Sequence, residues 1–204
     1  MAEVAVIDSG GANLASLLHA LQRLGARAEV TTDFARIEAA THVLLPGVGA
    51  AFDAMERLEQ AGLARRIATL RQPLLGICLG MQLLFESSEE APPGEPATRC
   101  LGVLPGHVSR MQADADHPVP HMGWNTLELL RPDPLFAGFG AADYVYFVHS
   151  YAASAGEATL AVTDYGRRVP AAVRRGNFRG VQFHPERSAK AGARLLANFL
   201  AIEN

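Results

Sequence analysis

PLLGICLGMQLLF, residues 73–85, changes its pattern at Cys78. The residues before the cysteine form a short apolar run with the length of a buried strand, and the residues after it continue as a helix over 79–85. Gly76 and Gly80 complete the pattern G-x-C-x-G, the cysteine version of a nucleophile elbow. Such a strand-to-helix turn exposes its central side chain at the carboxyl end of a strand, where open α/β sheets bind ligands. We therefore predict that Cys78 is a nucleophile.

The alternative for Cys78 is a buried core cysteine, as most free cysteines are. Glycines on both flanks argue against it, because they remove side chains that would clash in a sharp turn. The start of the following helix favours an anion, so we expect the sulfur to react as a thiolate. Cys100, the second of 2 cysteines, follows the loop-like APPGEPATR (91–99) and is expected to be an incidental thiol. A disulfide between the two is the minor alternative.

Short apolar runs alternate with helical patterns in the first half of the chain. The predicted strands are 3–7, 28–31, 42–45 and 73–77, and the predicted helices are 14–24, capped by Asn13, 51–61, 63–70 and 79–85. This alternation indicates right-handed crossovers and a mostly parallel sheet. After a polar, proline-rich loop over 87–98, the strand candidates are 102–109, 119–129, 144–149, 159–162, 171–174 and 178–183, and a helix over 188–202 ends the chain. We predict a single α/β domain over residues 1–204, with a mostly parallel central sheet flanked by helices and a partly antiparallel extension.

A thiolate nucleophile needs a base, and the base needs an orienting group. Phe183-His184-Pro185-Glu186 follows an apolar strand and supplies both. Residues two apart on an extended chain point to the same side, so the Glu186 carboxylate is expected to fix the His184 tautomer and stabilise the imidazolium. A strand end with a surface histidine is the alternative, which the upstream G-x-C-x-G disfavours. We predict a catalytic triad of Cys78, His184 and Glu186.

Acyl transfer also needs N–H donors for the developing oxyanion. One is expected from the backbone of Leu79, the residue after the nucleophile. The second is expected from Val48 or Gly49 in the turn PGVG (46–49), because glycines let a turn approach a ligand and reorient its peptide groups. On spacing alone, an ordinary strand-ending turn explains PGVG equally well. A phosphate loop does not, because the pattern G-x-x-x-x-G-K-[ST] is absent.

Composition and charge disfavour several other classes of protein. A hydrophobic fraction of 49% and a charged fraction of 19% are typical of a soluble globular domain. The net charge of −3 favours neither nucleic acid nor an anionic membrane as a partner. No apolar stretch approaches the roughly 20 residues that span a bilayer, and the N-terminus lacks the basic region of a signal peptide, so a cytoplasmic location is expected. Pro118 and Pro120 prevent His117 and His121 from forming a helical ligand pair; no metal and no organic cofactor are predicted.

Three segments in this order, PGVG (46–49), GICLGMQLLFE (76–86) and GVQFHPE (180–186), resemble the class I glutamine amidotransferases, the triad-type glutaminases. Further segments are similar to the glutaminase subunits of imidazole glycerol phosphate synthases, which act in histidine biosynthesis. These segments are IDSGGANLASL (7–17), HMGWN (121–125), YFVHSY (146–151) and HPERS (184–188). The resemblance runs from about Val4 to Leu200 and implies a flavodoxin-like fold.

The resemblance implies a reaction divided between two proteins. Cys78 attacks the carboxamide of glutamine, His184 protonates the departing ammonia, and water releases glutamate from the thioester. Ammonia passes to a partner cyclase subunit, a (β/α)8 barrel, which makes imidazole glycerol phosphate and an aminoimidazole carboxamide ribotide. The implied assembly is a heterodimer. This sequence has no visible nucleotide site, so the second reaction is expected in the partner.

The resemblance also implies roles for residues that spacing alone would not single out. The implied substrate-binding residues are Gln82, Glu90, which pairs with the amino group, and Ser150 and Tyr151, which receive the carboxylate through backbone groups. The implied contacts with the cyclase are Asn13, Trp124 and Arg187. Two departures from the common family pattern affect these contacts: Asp8-Ser9-Gly10-Gly11-Ala12-Asn13 replaces a D-Y-G-x-G-N type segment, and Arg187 stands where lysine is usual.

Three other functions stay open at this point. The first is a glutaminase subunit of the same class that feeds a different synthase, which HMGWN and the N-terminal segment disfavour. The second is a free-standing cysteine hydrolase or peptidase of similar fold, which would need no partner. The third is a binding module with an inactive triad, which the presence of all three triad residues disfavours. For the glutaminase, we expect the PGVG turn to reorient before its N–H faces the oxyanion.

Overall fold

The structure, a computed structural model, describes residues 2–10 and 14–203. The α-helices are α1 (Leu14–Arg23), α2 (Phe34–Ala39), α3 (Ala51–Gln60), α4 (Leu79–Leu83) and α5 (Ala189–Leu200). The strands are β1 (Glu3–Ile7), β2 (Arg27–Thr31), β3 (His42–Gly47), β4 (Leu74–Cys78), β5 (Ser87–Ser88), β6 (Thr98–Arg99), β7 (His107–Arg110), β8 (His121–Thr126), β9 (Glu128–Leu129), β10 (Tyr144–His149), β11 (Tyr151–Ala153), β12 (Thr159–Asp164), β13 (Arg168–Arg175) and β14 (Phe178–Val181). Short 3-10 turns lie at Ile67–Thr69, Pro134–Phe136 and Pro185–Arg187.

The central sheet has the strand order β2-β1-β3-β4-β14-β13-β12-β9. The strands from β2 to β14 in this order pair in parallel. The remaining strands, from β14 to β9, pair antiparallel. The carboxyl ends of β3, β4 and β14 therefore lie side by side at one edge of the sheet. The segments that follow these three strands carry the predicted site residues at 46–49, at Cys78 and at 184–186.

Helices cover both faces of the parallel strands, which explains why the central strands β3 and β4 are buried along their whole length. Every residue of β3 and β4 is buried. Side chains of α1 and α5, such as Leu21 and Phe199, pack on one face. Side chains of α2 and α3, such as Ile37 and Leu58, pack on the other. The result is a three-layer α/β/α fold, as the alternation of strands and helices predicts.

Two smaller sheets adjoin the site edge. One is the antiparallel pair of β8 and β10, in which Trp124 lies opposite Tyr146 and His121 lies opposite His149. The other has the order β11-β7-β5-β6. The backbone N–H of His184 donates to the Tyr146 carbonyl at 2.9 Å, so β10 is joined directly to the segment after β14. These strands form one wall of the site.

The predicted α/β class, the mostly parallel sheet and the antiparallel extension are confirmed. Most predicted strands and helices lie within a few residues of the observed ones, and the strand predicted at 119–129 is divided into β8 and β9. Helix α2 was not predicted, although Asp33 precedes it and accepts from the Ala35 N–H at 2.9 Å as an N-cap. The cap that we predicted at Asn13 lies outside the described residues.

Three local predictions are wrong. The helix predicted over 63–70 is only a 3-10 turn at Ile67–Thr69 with mostly i to i+3 bonds, although Leu63, Ile67 and Leu70 have helical spacing and are buried in one core cluster. The loop predicted over 87–98 pairs at its two ends as β5 and β6. The strand predicted over 102–109 begins only at His107.

Candidate active site

The turn at Cys78 joins β4 to α4 and holds the cysteine in a strained conformation. Its φ of 54° and ψ of −111° lie outside the regions that non-glycine residues favour. The flanking glycines make this possible. A Cβ at Gly76 would lie 2.6 Å from the carbonyl oxygen of Gly80, and a Cβ at Gly80 would overlap the carbonyl oxygen of Leu45. The structure thus contains the sharp turn that G-x-C-x-G predicts.

The sulfur of Cys78 is largely buried and lies among polar groups. Its Sγ lies 3.9 Å from the Val148 carbonyl oxygen. The side-chain amide of Gln182 donates to the same sulfur, with Nε2 at 3.7 Å. The sulfur therefore lies between a hydrogen-bond acceptor and an N–H donor.

His184 follows β14 and is fixed by its own backbone. Its N–H donates to the Tyr146 carbonyl at 2.9 Å, and its carbonyl accepts from the Ser188 hydroxyl at 2.6 Å. Its Nδ1 lies 2.8 Å from Oε1 of Glu186, and both side chains are at least nine-tenths buried. Among the described residues, only two buried side-chain nitrogen or oxygen atoms lack a hydrogen-bond partner, His184 Nε2 and Glu186 Oε2. Nε2 is therefore the imidazole atom that is left to exchange a proton.

The charges around His184 stabilise its imidazolium. Burial by itself lowers the pKa of His184, but the interactions with the neighbouring Cys78 and Glu186 outweigh burial and raise the pKa to about 10. Cys78 lies 106 residues before His184 in the chain, and the two interact because β4 and β14 are neighbours in the sheet. The arrangement has the elements of a thiolate–imidazolium pair with an orienting carboxylate.

The PGVG turn begins at the end of β3, beside the cysteine. Pro46 pairs with Ile77, and Gly47 pairs with Cys78. The buried hydroxyl of Ser9 donates to the Pro46 carbonyl at 2.6 Å and so anchors the start of the turn. Gly49 has a φ of 90°, a left-handed conformation that favours glycine.

A cavity of about 350 Å³ opens over the cysteine and has the size of a small-molecule site. Most of the predicted site residues line it, from five separate parts of the chain. These are Val48, Gly49, Cys78, Leu79, Gln82, Glu90, Ser150, Tyr151, His184, Glu186 and Arg187. Trp124 is not part of the lining, and Asn13 lies outside the described residues.

Gln82 and Gln182 connect the cavity wall to the nucleophile. Gln82 Nε2 donates to the Tyr151 carbonyl at 3.0 Å and to Gln182 Oε1 at 2.9 Å, so both of its N–H groups have acceptors in the protein. Only its Oε1 is left to accept a hydrogen bond from a bound molecule. We did not predict a role for Gln182, which is fully buried. A signal was present, because Gln182 lies two residues before His184 on an extended segment and so points to the same side.

Glu90 reaches the cavity from the loop after α4. Its Oε2 accepts from the Ala51 N–H at 2.9 Å, at the start of α3. The pKa of Glu90 is raised, mainly by burial. The Ala51 hydrogen bond opposes this increase, and the nearby Asp53 carboxylate adds to it. A carboxylate held at a cavity wall is a suitable partner for an ammonium group.

Trp124, Tyr146 and Arg187 form an exposed cluster beside the cavity. The Trp124 side chain is 51% exposed, and its ring meets the Tyr146 ring edge to face at 5.9 Å. The Arg187 guanidinium lies over the Tyr146 ring, 4.2 Å from the ring centre. A large aromatic surface with an arginine is typical of the core of a protein–protein interface.

Cys100 lies apart from this chemistry. Both cysteines are free, so the disulfide alternative is wrong. Burial raises the pKa of Cys100 to about 12, and the Glu90 carboxylate adds to the increase. In the described part of the chain, no cluster of three or more His, Cys, Asp or Glu side chains is arranged to hold a metal ion. No helix in this part is both long and apolar enough to cross a membrane.

Comparison with known proteins identifies similar sequences and structures. The sequence model of a family described as "Glutamine amidotransferase class-I" matches residues 5–202. Imidazole glycerol phosphate synthase subunit HisH 2 of Legionella pneumophila (strain Paris) is 51% identical over 201 residues, which cover 98% of each chain. Subunit HisH of the same synthase from Xylella fastidiosa (strain Temecula1) is 50% identical over 203 residues, covering 100% of this chain and 99% of the relative. A crystal structure of a glutamine amidotransferase is similar with a TM-score of 0.71 at 25% identity, covering 97% of this chain and 96% of the other.

Proposed function

Since this chain belongs to the class I glutamine amidotransferase family, we propose that Cys78, His184 and Glu186 form the catalytic triad with which it hydrolyses glutamine. The chain is the glutaminase of an imidazole glycerol phosphate synthase and supplies ammonia to a cyclase subunit in histidine biosynthesis, as its full-length HisH relatives indicate. The observation that supports the triad most strongly is the meeting of Cys78 with the hydrogen-bonded His184–Glu186 pair in one cavity.

In the first half of the reaction, the Cys78 thiolate attacks the carboxamide carbon of glutamine. The carbonyl oxygen takes the negative charge, and the backbone N–H of Leu79 stabilises it. The His184 imidazolium donates its Nε2 proton to the amide nitrogen, the C–N bond breaks, and ammonia leaves. The high pKa of His184, about 10, keeps this proton available near neutral pH.

In the second half, water hydrolyses the thioester. His184, now neutral, removes a proton from the attacking water through Nε2, and the collapse of the tetrahedral intermediate breaks the C–S bond. Glutamate leaves, and the thiolate–imidazolium pair is restored. Throughout, Glu186 accepts the Nδ1–H of His184 and thereby keeps Nε2 as the atom that carries the proton.

The second oxyanion donor comes from Val48 or Gly49 after the PGVG turn reorients on partner binding. Two observations support this step. Gly49 already has a positive φ of 90°, which glycine adopts easily. A Cβ at this position would meet no other described residue within 4 Å, so the turn has space in which its peptide groups can rotate. Ser9 holds only the Pro46 end of the turn.

The carboxylate and the amino group of glutamine, which are bonded to the same carbon atom, bind different groups of the cavity wall. Backbone groups of Ser150 and Tyr151 receive the carboxylate, whereas Glu90 pairs with the ammonium group. The Oε1 of Gln82 is the acceptor that its internal hydrogen bonds leave for the substrate. These assignments explain how a small polar substrate is oriented with its carboxamide toward Cys78.

The partner in this proposal is a (β/α)8-barrel cyclase, and the assembly is a cytoplasmic heterodimer. The exposed Trp124 and the neighbouring Arg187 contact the cyclase, together with Asn13. Because Arg187 also lines the cavity, the contact surface begins at the site where ammonia is released.

The test is glutamate release from glutamine with and without a cyclase subunit. We expect Cys78→Ala to lower the rate by at least about 1,000-fold, because a covalent step is lost. Cys100→Ala is the matched control and should retain wild-type activity. A Cys78→Ala enzyme with substantial activity would exclude the proposed mechanism.

The same assay separates the competing functions. A free-standing hydrolase would act at full rate without any partner. A glutaminase for another pathway would be activated by a different synthase and not by the cyclase. A binding module with an inactive triad would resist alkylation of Cys78 by a glutamine-like electrophile.

A further inference from the structure

The motifs HMGWN and YFVHSY each contain a buried histidine that the glutaminase chemistry does not use. His121 on β8 and His149 on β10 are opposite each other in the strand register. Both side chains are more than nine-tenths buried, and His121 Nδ1 lies 3.1 Å from His149 Nε2. A buried pair of imidazoles is costly unless its hydrogen bonds are complementary, so the direction of each bond can be assigned.

The acceptor at one end of the pair fixes the tautomers. His149 Nδ1 lies 2.8 Å from the Tyr151 carbonyl oxygen, which can only accept, so His149 carries its proton on Nδ1. Its Nε2 then accepts from the Nδ1–H of His121. Both rings are neutral, in agreement with burial, which lowers the pKa of each histidine to about 4.

Stacking holds the outer ring of the pair in place. His121 lies between two aromatic rings, with its centre 4.6 Å from that of Phe147 and 3.9 Å from that of Tyr165. The ring planes are inclined by 19° and 25°, respectively, so His121 is enclosed on both faces. Its Nδ1–H is therefore kept directed at His149.

The pair is connected to the nucleophile by hydrogen bonds alone. The Tyr151 carbonyl accepts from His149 and also from Gln82. Gln82 donates to Gln182, which donates to the Cys78 sulfur. The carbonyl of the preceding residue, Ser150, accepts from the Met111 N–H at 2.9 Å. The carbonyls of Ser150 and Tyr151, where β10 passes into β11, are therefore both held by hydrogen bonds.

We propose that His121 and His149 are positioning residues for the substrate: their hydrogen-bonded pair holds the Tyr151 carbonyl and thereby orients the Ser150–Tyr151 backbone that receives the glutamine carboxylate. The inference rests on the proposed function for the identity of the ligand. Neither histidine transfers a proton in the reaction. Losing the pair affects binding of glutamine more than the chemical step.

The first experiment measures kcat and KM for glutamine hydrolysis in the cyclase complex. His149→Leu removes the donor and should raise KM about tenfold, with a smaller change in kcat. His149→Asn places an amide N–H near the position of Nδ1 and should return KM to within about threefold of wild type. His121→Leu leaves the His149 donor without its orienting partner and should give an intermediate KM.

His42→Leu is the matched control for the loss of a buried imidazole. His42 is also buried, and its Nε2 lies 3.0 Å from the Ile202 carbonyl oxygen, but it begins β3 at the end of the sheet opposite to the site. This variant should lower stability without changing KM. Equal KM values for wild type and a folded His149→Leu, or equal values for His149→Asn and His149→Leu, would overturn the proposal.

A second measurement uses the unmodified chain. Nitrogen-15 NMR of the histidine-labelled protein should show two imidazoles, assigned through His121→Leu and His149→Asn, in the neutral Nδ1–H form at neutral pH. An imidazolium or an Nε2–H tautomer at either residue would contradict the pair, even if the His149→Leu variant fails to fold. Failure of the proposed function has a different signature, which is the absence of glutamate release from the wild-type complex.

Discussion

Replacing Glu186 by glutamine removes one charge from the site and little else. Gln retains the size of the side chain and an oxygen that can accept from the Nδ1–H of His184, now 2.8 Å from the carboxylate. The hydrogen bond changes from one with a charged acceptor to one with a neutral acceptor. In a buried position this difference is worth about 1.5–3 kcal/mol of stabilisation of the imidazolium, or about one to two pKa units.

The direction of the pH effect follows from the raised pKa of His184. In the wild type, the imidazolium is present below a pKa of about 10 and is lost as the pH rises through that value. In Glu186→Gln the folded-state pKa is lower, so the imidazolium is lost at lower pH. The alkaline limb of the kcat/KM profile for glutamine should therefore move down by about one to two pH units. Near pH 7 a pKa lowered from about 10 by one to two units still leaves most of His184 as imidazolium, so kcat should change by less than about twofold there and the loss should appear at higher pH.

The assay is glutamate release by the cyclase complex between pH 6 and pH 10.5. Glu128→Gln provides the control, since it makes the same chemical change at an exposed ion pair with Arg168, where a charge contributes little. An alkaline limb that stays in place in Glu186→Gln would refute the argument that Glu186 stabilises the His184 imidazolium.

Three further perturbations test other parts of the structure. Gly80→Ala should destabilise the fold by at least about 2 kcal/mol in urea unfolding, because the new Cβ would overlap a backbone oxygen. Gly156→Ala is the control and should be neutral, because no described heavy atom lies within 4 Å of its new Cβ. Gln182→Leu should lower kcat about tenfold and slow alkylation of the thiol, because it removes the N–H donor to the sulfur; unchanged rates of both would exclude this role. Trp124→Ala should weaken binding of the cyclase about 30-fold, as measured by calorimetry, and leave the unfolding midpoint of the isolated chain nearly unchanged. Equal affinity would exclude Trp124 from the interface.

Local patterns were sufficient for the elements that neighbours along the chain determine. The apolar run before Cys78 and the two glycines around it predicted the strand, the turn and the helix start. The clash that a Cβ at Gly76 would make with Gly80 is local, whereas the clash of a Cβ at Gly80 is with Leu45 on β3. The predicted meeting of His184 and Glu186 is observed, with 2.8 Å between Nδ1 and Oε1, but Glu186 lies in the 3-10 turn Pro185–Arg187 and not on the extended chain that we assumed. The helical spacing of Leu63, Ile67 and Leu70 was misleading at 63–70, where the chain forms only a 3-10 turn at Ile67–Thr69.

The sequence by itself determined the class of fold, the sharp turn at Cys78, and the presence of a carboxylate beside His184. Only the tertiary structure decided that β14 lies beside β4, which brings Gln182 within 3.7 Å of a sulfur 104 residues away in the chain. It also joined His121, His149 and Tyr151 into one hydrogen-bonded unit. The physical reason is that strand order and side-chain hydrogen bonds between distant segments depend on the packing of the whole chain, whereas turns and short periodicities depend on adjacent residues.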